Sequence, residues 1–232
     1  MIQYHEALNK IVSNAILICT ECVNLNKVNN RILSENVYFD TNLPPFNKAA
    51  MDGYACRKED LHNELTIIET IYAGKQPENE IGKNQCAKIM TGAVVPNGAD
   101  MVFMFEQSQE IGDNMIKCTN LNSNINICYV GEDVKKGDLA LAKSTLIRPK
   151  HIPILAGAGI YEPKVYCQPK IAVFATGTEL VEPHEKPLPH QIRNSNSSQT
   201  IAQLVEMGIN GNYLFIISDD ATETETNIKK AF

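Results

Sequence analysis

The chain has 232 residues, of which 44% are hydrophobic and 21% are charged, and it contains no tryptophan. This composition is ordinary for a soluble globular protein and excludes a disordered, collagen-like or coiled-coil chain. At about 150 residues per domain, the length predicts one to two domains. The formal net charge of −6 provides no global positive field for a nucleic-acid backbone. It leaves room for a local site that binds a small anion.

The distribution of cysteines and the length of the apolar segments indicate where in the cell the protein is expected to be. The seven cysteines are scattered along the chain, unlike the dense pairs of a small secreted domain, and we expect free thiols and a cytoplasmic location. The longest early apolar run, 15–19, is far shorter than the roughly 20 residues that a membrane span needs, so no membrane association is expected. Cys19 and Cys22 have the spacing of a metal or redox pair, but no second pair or histidine accompanies them, which disfavours that use.

The first elements change from helical to extended. Apolar residues recur at intervals of three and four between about 2 and 23 and predict an amphipathic helix. A short helix is expected over 31–36. Pro44-Pro45 prevents further helix, and short apolar segments separated by Gly, Asn, Asp and Pro then predict a mostly β region. These segments are 65–72, 86–90, 101–105, 115–118 and 125–129.

The last third of the chain alternates between strand and helix. Pro149 suits the first turn of a helix over 149–158. The continuous apolar run 170–176 ends in Thr-Gly and is typical of a buried parallel strand. It is followed by a predicted helix over 196–207, a strand over 213–217 and a polar helix from 219 to 232. The order predicts the beginning of a doubly wound α/β domain, which we expect to be incomplete because parallel sheets usually have about five strands.

Two loops before residue 100 carry residues suited to metal or anion binding. Asp52, which precedes Gly53, could hold a metal ion or a water molecule, and the Asp-Gly pair fits a plain turn equally well. Thr91 and Gly92 follow a predicted strand, where a hydroxyl and backbone amides can bind an oxyanion. A β-turn with a capping threonine is the alternative there. Asp133 lies in a turn-rich acidic segment whose default interpretation is a solvated loop.

A further candidate site lies in the predicted α/β domain. Thr176 and Gly177 stand at the carboxyl end of the apolar strand, which is where open α/β sheets bind ligands. Glu179 offers the hard oxygen ligands that Mg²⁺ prefers. Ser195 and Asn196 open the next predicted helix, where amides and the helix dipole favour an anion. The alternative role of that segment, including Asn194, is simply to cap the helix.

Five motifs, in this order, resemble the molybdopterin molybdenumtransferase family, which includes bacterial MoeA and the E-domain of gephyrin. They are Pro-Phe-x-x-x-Ala-Met-Asp-Gly-Tyr-Ala at 45–55, Ile-Met-Thr-Gly-Ala-x-x-Pro-x-Gly-Ala-Asp at 89–100, Gly-Glu-Asp-Val at 131–134, Thr-Gly-x-Glu-Leu-Val at 176–181 and Gln-Ile-x-x-Ser-Asn at 191–196. Each motif alone is weak, and the ordered set covers essentially the whole chain.

The resemblance implies a multi-domain α/β fold in an elongated homodimer. It implies a helical linking domain, about 1–26 and 130–168, with an inserted β-rich domain at about 27–129. The α/β domain that binds molybdopterin then begins at 169 and is incomplete at 232. A C-terminal barrel and three further Gly- and Pro-rich motifs of the family are expected beyond this point.

The resemblance also implies a reaction. Adenylylated molybdopterin and molybdate are the substrates, Mg²⁺ is the cofactor, AMP is released, and a molybdopterin adenylyltransferase is the expected pathway partner. By motif position, Asp52 and Glu179 are assigned to metal binding and hydrolysis. The ligand-binding assignments by motif position are Thr91, Gly92, Asp133, Thr176, Gly177, Ser195 and Asn196. The alternative is a non-catalytic truncated homologue that acts as a dimerising interaction module.

The chain departs from the family pattern at several positions. The usual Phe-Asp-Asn-Ser reads Phe46-Asn47-Lys48-Ala49, which removes a carboxylate and adds a cation. Thr-Gly-Asp-Glu has become Thr-Gly-Thr178-Glu, and the usual Gln-Ile-Tyr-Asp reads Gln-Ile-Arg193-Asn194. These changes affect the same loops that carry the assigned residues.

Overall fold

The computed structural model describes residues 2–16 and 18–231 and is a mixed α/β structure with short helices. Within these residues the helices are α1 (Tyr4–Ser13), α2 (Ile152–Gly157), α3 (Asn196–Glu206) and α4 (Ala221–Ala231). The strands are β1 (Thr20–Cys22), β2 (Val37–Tyr38), β3 (Lys48–Ala49), β4 (Gly53–Cys56), β5 (Glu64–Ile71), β6 (Gln85–Ile89), β7 (Met101–Met104), β8 (Ser108–Gly112), β9 (Met115–Cys118), β10 (Ile127–Cys128), β11 (Leu139–Leu141), β12 (Lys164–Tyr166), β13 (Ile171–Thr176), β14 (Leu180–Val181), β15 (Ile192–Arg193) and β16 (Gly211–Ile217).

The chain divides into two compact units. Tyr38–Leu139 forms the first, here called the β unit, and the segments up to Val37 and from Ala140 onward form the second, here called the flanking unit. The β unit is therefore inserted between two segments of the flanking unit. The finer division into a linking domain and an α/β domain that begins at 169 stays a prediction.

A six-stranded sheet in the order β7-β4-β6-β5-β9-β8 organises the β unit. β4 lies inside this sheet, paired antiparallel with β6 and β7, and all four of its residues are buried. Successive side chains of β4 point to opposite faces of the sheet and therefore pack in two different hydrophobic clusters. Tyr54 and Cys56 pack with Phe103, whereas Ala55 packs with Ile89 and Val102. Both faces of β4 are thus covered, which explains its uninterrupted run of buried residues.

The flanking unit contains the predicted strand-helix-strand arrangement. β13 and β16 pair in parallel, and α3 connects them and packs against both. β14 and β15 form a second, very short parallel pair. An antiparallel ribbon of β1 and β12 lies in the same unit. The buried side chains of the flanking unit include Val28, Leu33, Ile147, Leu155 and Val165.

Most of the predicted strands are found within one or two residues of their expected bounds. The segment predicted over 125–129 is shorter, since only Ile127–Cys128 is a strand. The helix expected over 149–158 begins as a 3₁₀ turn at Pro149–His151 and continues as α2. α4 begins at Ala221, and the predicted helix end at Phe232 lies outside the described residues.

The first predicted helix, from 2 to 23, is wrong in its second half. α1 ends at Ser13, because the side chains of Ser13 and Asn14 both donate to Lys10 O, at 3.1 and 2.7 Å, and compete with the helical backbone. Leu17, within the predicted range, lies outside the described residues. Residues 20–22 are β1, whose backbone pairs with β12.

The helix predicted over 31–36 is also wrong. Ile32 and Leu33 instead form antiparallel bridges to Leu146 and Val165, so their amides serve the tertiary structure. Arg31 is almost fully buried and its Nη2 donates to Glu21 Oε1 at 2.5 Å and to Tyr166 O at 2.7 Å. Pairing with distant segments overrides the local helical preference.

The expectation of free thiols fails for one pair. Cys19 and Cys167 form a disulfide with a Cα–Cα distance of 5.5 Å. The pairing of β1 with β12 brings them together, since Thr20 faces Tyr166 in that ribbon. Cys56 and Cys86 are free and buried in the β unit, where burial raises both thiol pKa values, that of Cys86 to about 12. These two thiols stay protonated and act as apolar core groups.

The helices formed by the described residues are all too short or too polar to cross a membrane.

Gly53 provides a test of how tightly the β unit is packed. A Cβ at this position would lie 2.0 Å from Phe103 O, a backbone atom of the neighbouring strand. We therefore expect Gly53→Ala to lower the free energy of unfolding by about 1–3 kcal/mol through overpacking, measured by urea denaturation. Gly112→Ala is the control, because its Cβ would meet Met115 Cβ only at 4.0 Å. Equal denaturation midpoints for Gly53→Ala and the unmodified chain would contradict this packing argument.

Candidate functional site

Asp52 and Thr91 form a polar pair on the surface of the β unit. Asp52 Oδ1 accepts two hydrogen bonds, from Thr91 N at 2.7 Å and from Thr91 Oγ1 at 2.6 Å. The hydroxyl hydrogen bond, followed by the amide hydrogen bond, lowers the pKa of the Asp52 carboxyl. Asp52 is therefore an exposed, ionised carboxylate with a fixed orientation at neutral pH.

The backbone explains why residues 39 positions apart meet. Gly92 N donates to Ala49 O at 2.8 Å, Ala49 N donates to Ala93 O at 3.0 Å, and Val95 N donates to Asn47 O at 2.9 Å. The first motif loop (45–55) and the second motif loop (89–100) are thus joined along their edges. Asp52 sits one residue before β4, whose position in the sheet is fixed by burial on both faces.

The Gly-Glu-Asp turn lies beside the first motif loop. Gly131 N donates to Pro44 O at 2.9 Å, and Asp133 N donates to Leu43 O at 3.0 Å. Asn47 Oδ1 accepts from Val130 N at 2.9 Å. The structure therefore brings the first three motifs together within the β unit. The side chain of Asp133 is exposed.

A cavity of about 320 Å³ in the flanking unit contains three of the predicted residues. It opens at the carboxyl end of β13 and the amino end of α3, as expected for an open α/β sheet. The polar side chains of its lining are Thr176, Arg193, Asn194, Ser195, Asn196, Ser197 and Thr200. Within the described part of the chain, this lining has one cationic side chain, Arg193, and no carboxylate. The cavity therefore suits an anionic ligand.

Glu179 and Gly177 lie close to each other beside this cavity. A Cβ on Gly177 would lie 2.8 Å from Glu179 Oε2, so the carboxylate lies over the glycine and a side chain there would displace it. The backbone of this turn is held by Gly177 N donating to Ile217 O at 3.0 Å and by Ile192 N donating to Glu179 O at 2.9 Å. The last two motifs, 176–181 and 191–196, are thus paired through β14 and β15.

The cap of α3 is provided by Asn194. Ser195 occupies the N-cap position but makes no capping hydrogen bond with its side chain, whereas Asn194 Oδ1 accepts from Ser197 N at 3.2 Å. The Ser195 and Asn196 side chains are exposed at the cavity, while Asn194 is only 3% exposed. The residue that caps α3 is therefore buried, while the next two residues are exposed at the cavity.

Comparison with known proteins decides the family. Residues 2–159 match the family described as MoeA N-terminal region (domain I and II). The chain belongs to the MoeA family. A molybdopterin molybdenumtransferase of Staphylococcus aureus (strain Mu50) is 36% identical over 211 residues, which cover 88% of this chain and 50% of the relative. A molybdopterin molybdenumtransferase of Staphylococcus epidermidis is 34% identical over 237 residues, which cover 99% of this chain and 57% of the relative. The chain spans about half the length of these curated relatives.

Solved structures agree with the family assignment. A MoeA protein of Pyrococcus horikoshii matches all of this chain and 61% of its own, with a TM-score of 0.86 and 31% identity. A second structure of MoeA from this organism has a TM-score of 0.85 at 33% identity, covering all of this chain and 64% of its own. The resemblance drawn from the five motifs is confirmed, as is a mixed α/β fold.

Asp219 and Asp220 were missed by the sequence analysis, which treated them only as the start of a polar helix. Together with Thr176 they line a second, open cleft of about 570 Å³, and Asp219 Oδ2 accepts from Thr178 N at 3.4 Å. They follow β16 just as Thr176 ends β13. The rule that placed a site at the carboxyl end of one parallel strand applies equally to the next and could have found them.

The residues fit magnesium as single carboxylate ligands. Within residues 2–16 and 18–231 no cluster of three or more His, Cys, Asp or Glu side chains is arranged to hold a metal ion. Mg²⁺ commonly takes one or two protein carboxylates and completes its shell with water and substrate phosphate. Asp52 in the β unit and Glu179 in the flanking unit each offer an exposed carboxylate of this kind.

The Asp52–Thr91 pair makes a titration prediction for this MoeA chain. Thr91→Ala removes the hydroxyl hydrogen bond, the largest cause of the lowered pKa, so we expect the pKa of Asp52 to rise toward its ordinary value. Thr91→Ser keeps the hydroxyl and should leave the pKa lowered. The measurement is a carboxyl ¹³C NMR titration of Asp52. An unchanged Asp52 midpoint in Thr91→Ala would show that the hydroxyl does not hold the carboxylate.

Proposed function

We propose that this chain acts in molybdenum cofactor biosynthesis as part of a molybdenum-inserting enzyme. The substrates are adenylylated molybdopterin and molybdate, the phosphoanhydride is cleaved with Mg²⁺, and AMP is released. The Asp52–Thr91 pair carries this proposal, because it holds an ionised carboxylate in one orientation at the protein surface. The names and similarity of the MoeA relatives support the substrate class.

Cleavage of a phosphoanhydride needs charge neutralisation and positioned donors. Mg²⁺, when bound, supplies neutralisation of the charge that develops on the phosphate oxygens. Asp52 in the β unit and Glu179 in the flanking unit would each offer a single carboxylate ligand to such an ion. Thr91 has a different role from the oxyanion donor suggested by sequence, since both its amide and its hydroxyl donate to Asp52. It orients the carboxylate, and the hydroxyl oxygen is left as an acceptor.

The cavity of the flanking unit is proposed to bind the phosphate-bearing part of the pterin substrate. Arg193 supplies positive charge, and the amides of the first turn of α3 supply donors. Thr176, Ser195 and Asn196 contribute hydroxyl and amide groups at the rim. The cavity can thus bind an anion locally although the whole chain is acidic. Supply of the substrate by a molybdopterin adenylyltransferase and a cytoplasmic location are further parts of this proposal.

The reaction is tested by AMP release. We expect the protein, given adenylylated molybdopterin, molybdate and Mg²⁺, to release AMP, and Asp52→Asn to lower the rate at least about a hundredfold because the oriented charge is lost. Asp113→Asn is the matched control, since Asp113 is an exposed carboxylate of the same unit outside the motifs. AMP formation by chromatography is the measurement. A wild-type rate in Asp52→Asn would rule out its proposed role.

A dimerising role is favoured by a separate observation and is compatible with the enzyme. α1 buries none of its side chains, and the exposed ones include Leu8, Ile11 and Val12, with Ile11 70% exposed. An amphipathic helix normally buries its apolar stripe against another surface. We propose that a second copy of this chain covers α1, in line with the dimer that the family resemblance implies.

This dimer is tested with a matched pair of charge substitutions. Burying an isoleucine contributes about 1.5–3 kcal/mol, so Ile11→Asp should weaken dimerisation at least about tenfold. Asn9→Asp adds the same charge to the same helix without removing an apolar group and should leave the dimer intact. Sedimentation equilibrium gives the dissociation constants. A monomeric unmodified protein, or equal dissociation constants for the two variants, would contradict the assignment of α1.

A further inference from the structure

A chain of hydrogen bonds begins in the lining of the flanking-unit cavity and extends to Glu182. Tyr213 OH, on β16, donates to Glu182 Oε1 at 2.6 Å, and Asn194 Nδ2 donates to Tyr213 OH at 3.2 Å. Asn194 Nδ2 also donates to Ser197 Oγ at 3.0 Å, and Asn194 Oδ1 accepts from Ser197 N at 3.2 Å. We call Glu182, Tyr213, Asn194 and Ser197 the Asn194 relay.

The direction of each hydrogen bond in the relay is determined. The Ser197 amide can only donate, so Asn194 must present Oδ1 to it and Nδ2 to Tyr213. Because Tyr213 accepts from Asn194, its single proton is available for Glu182. Burial, followed by the hydrogen bond to Glu182, raises the pKa of Tyr213, which keeps that proton in place at neutral pH.

The relay joins two short strands and the loop between them to β16 and α3. β14 and β15 have two residues each, and a loop with three prolines, 182–191, joins them. Glu182 is the first residue of this loop, and Asn194 follows β15 directly. The relay therefore attaches the start of the loop to β16 and the end of β15 to the first turn of α3.

We propose that Asn194, Tyr213 and Glu182 are positioning residues that set the cavity for a phosphate-bearing ligand. Asn194 holds the first turn of α3 by accepting from the Ser197 amide, and the Tyr213–Glu182 hydrogen bond holds the loop that begins after Val181. Glu182 does not line the cavity, so its carboxylate is bonded to Tyr213 instead of facing the ligand. This inference rests on the anion-binding role proposed above for the cavity.

The residue at 194 determines whether the hydrogen bond between Tyr213 and Glu182 is connected to the cap of α3. An aspartate, the usual family residue at this position, would accept from the Ser197 amide as asparagine does, so the cap of α3 would remain. It could not donate to Tyr213, and the phenol would have to choose between the carboxylates at 182 and 194. In this chain, asparagine at 194 thus connects Glu182, through Tyr213, to the cap of α3.

Four variants distinguish the contribution of the α3 cap from that of the hydrogen bond between Tyr213 and Glu182. Asn194→Ala removes the cap and should weaken binding at least about tenfold, since the cap and a buried hydrogen bond are lost together. Asn194→Asp keeps the cap and should restore binding to within about threefold, while exchange of the amides of 182–191 becomes faster. Tyr213→Phe should give the same faster exchange with the ring still packed. Tyr161→Phe removes an exposed tyrosine hydroxyl of the flanking unit and should change neither property.

The probes are AMP and inorganic phosphate, each titrated by calorimetry into the full 232-residue chain, with hydrogen exchange measured on the free chain. Binding of AMP alone would indicate that the nucleotide is needed, and binding of both would indicate recognition of the phosphate group; either supports the proposal. Equal affinities of Asn194→Ala and the unmodified chain would overturn it, as would failure of Asn194→Asp to restore binding. Unchanged exchange of 182–191 in Tyr213→Phe would overturn the role of Tyr213 and Glu182.

Absence of binding of both probes to the unmodified chain would overturn the phosphate-ligand assignment of the cavity. Molybdenum insertion is judged separately, by AMP release from the complete substrate. A failure of the relay therefore does not decide the reaction, and loss of the reaction does not decide the relay.

Discussion

The close approach of three backbones at Gly53 is the constraint on which the β unit depends. Gly53 pairs with Ile89 on one side and Met104 on the other, and there is no room for a Cβ beside Phe103 O. Because β4 cannot shift or rotate there, the residue before it, Asp52, leaves the sheet at a fixed point. The second motif loop continues from β6, a direct neighbour of β4, and so brings Thr91 to Asp52. The geometry of the polar pair thus follows from apolar packing beneath it.

An element of this fold is predictable from sequence when the interactions that form it act over a short range along the chain. The continuous apolar run 170–176 predicted the position of a strand well, but the expectation of a buried strand was wrong, because β13 is only partly buried along its length. The helix predicted to 23 was wrong beyond Ser13, and the one over 31–36 was wrong throughout, because pairing with 164–166 and with 145–147 takes those backbone amides. No periodicity within a short window reports a partner more than a hundred residues away.

The candidate sites show the same limit. Motif order assigned Asp52, Thr91, Thr176, Ser195 and Asn196 to a functional site. In the structure the first two form a hydrogen-bonded pair in the β unit, and the other three line a cavity of the flanking unit. Motif order gave no indication that both donors of Thr91 are directed to Asp52, or that Asn194 rather than Ser195 caps α3. Which partner a polar group binds depends on which neighbouring donors and acceptors are already hydrogen-bonded. Those pairings exist only in the folded chain, so the sequence motifs do not contain them.

The disulfide between Cys19 and Cys167 changes the connectivity of the whole molecule. The two cysteines are 148 residues apart, and the entire β unit lies in the loop that they close. A peptide bond cut anywhere between 20 and 166 therefore leaves the two fragments joined as one covalent molecule until the disulfide is reduced. In topological terms, residues 19–167 form one covalent ring, and both connections of the β unit to the flanking unit lie within that ring.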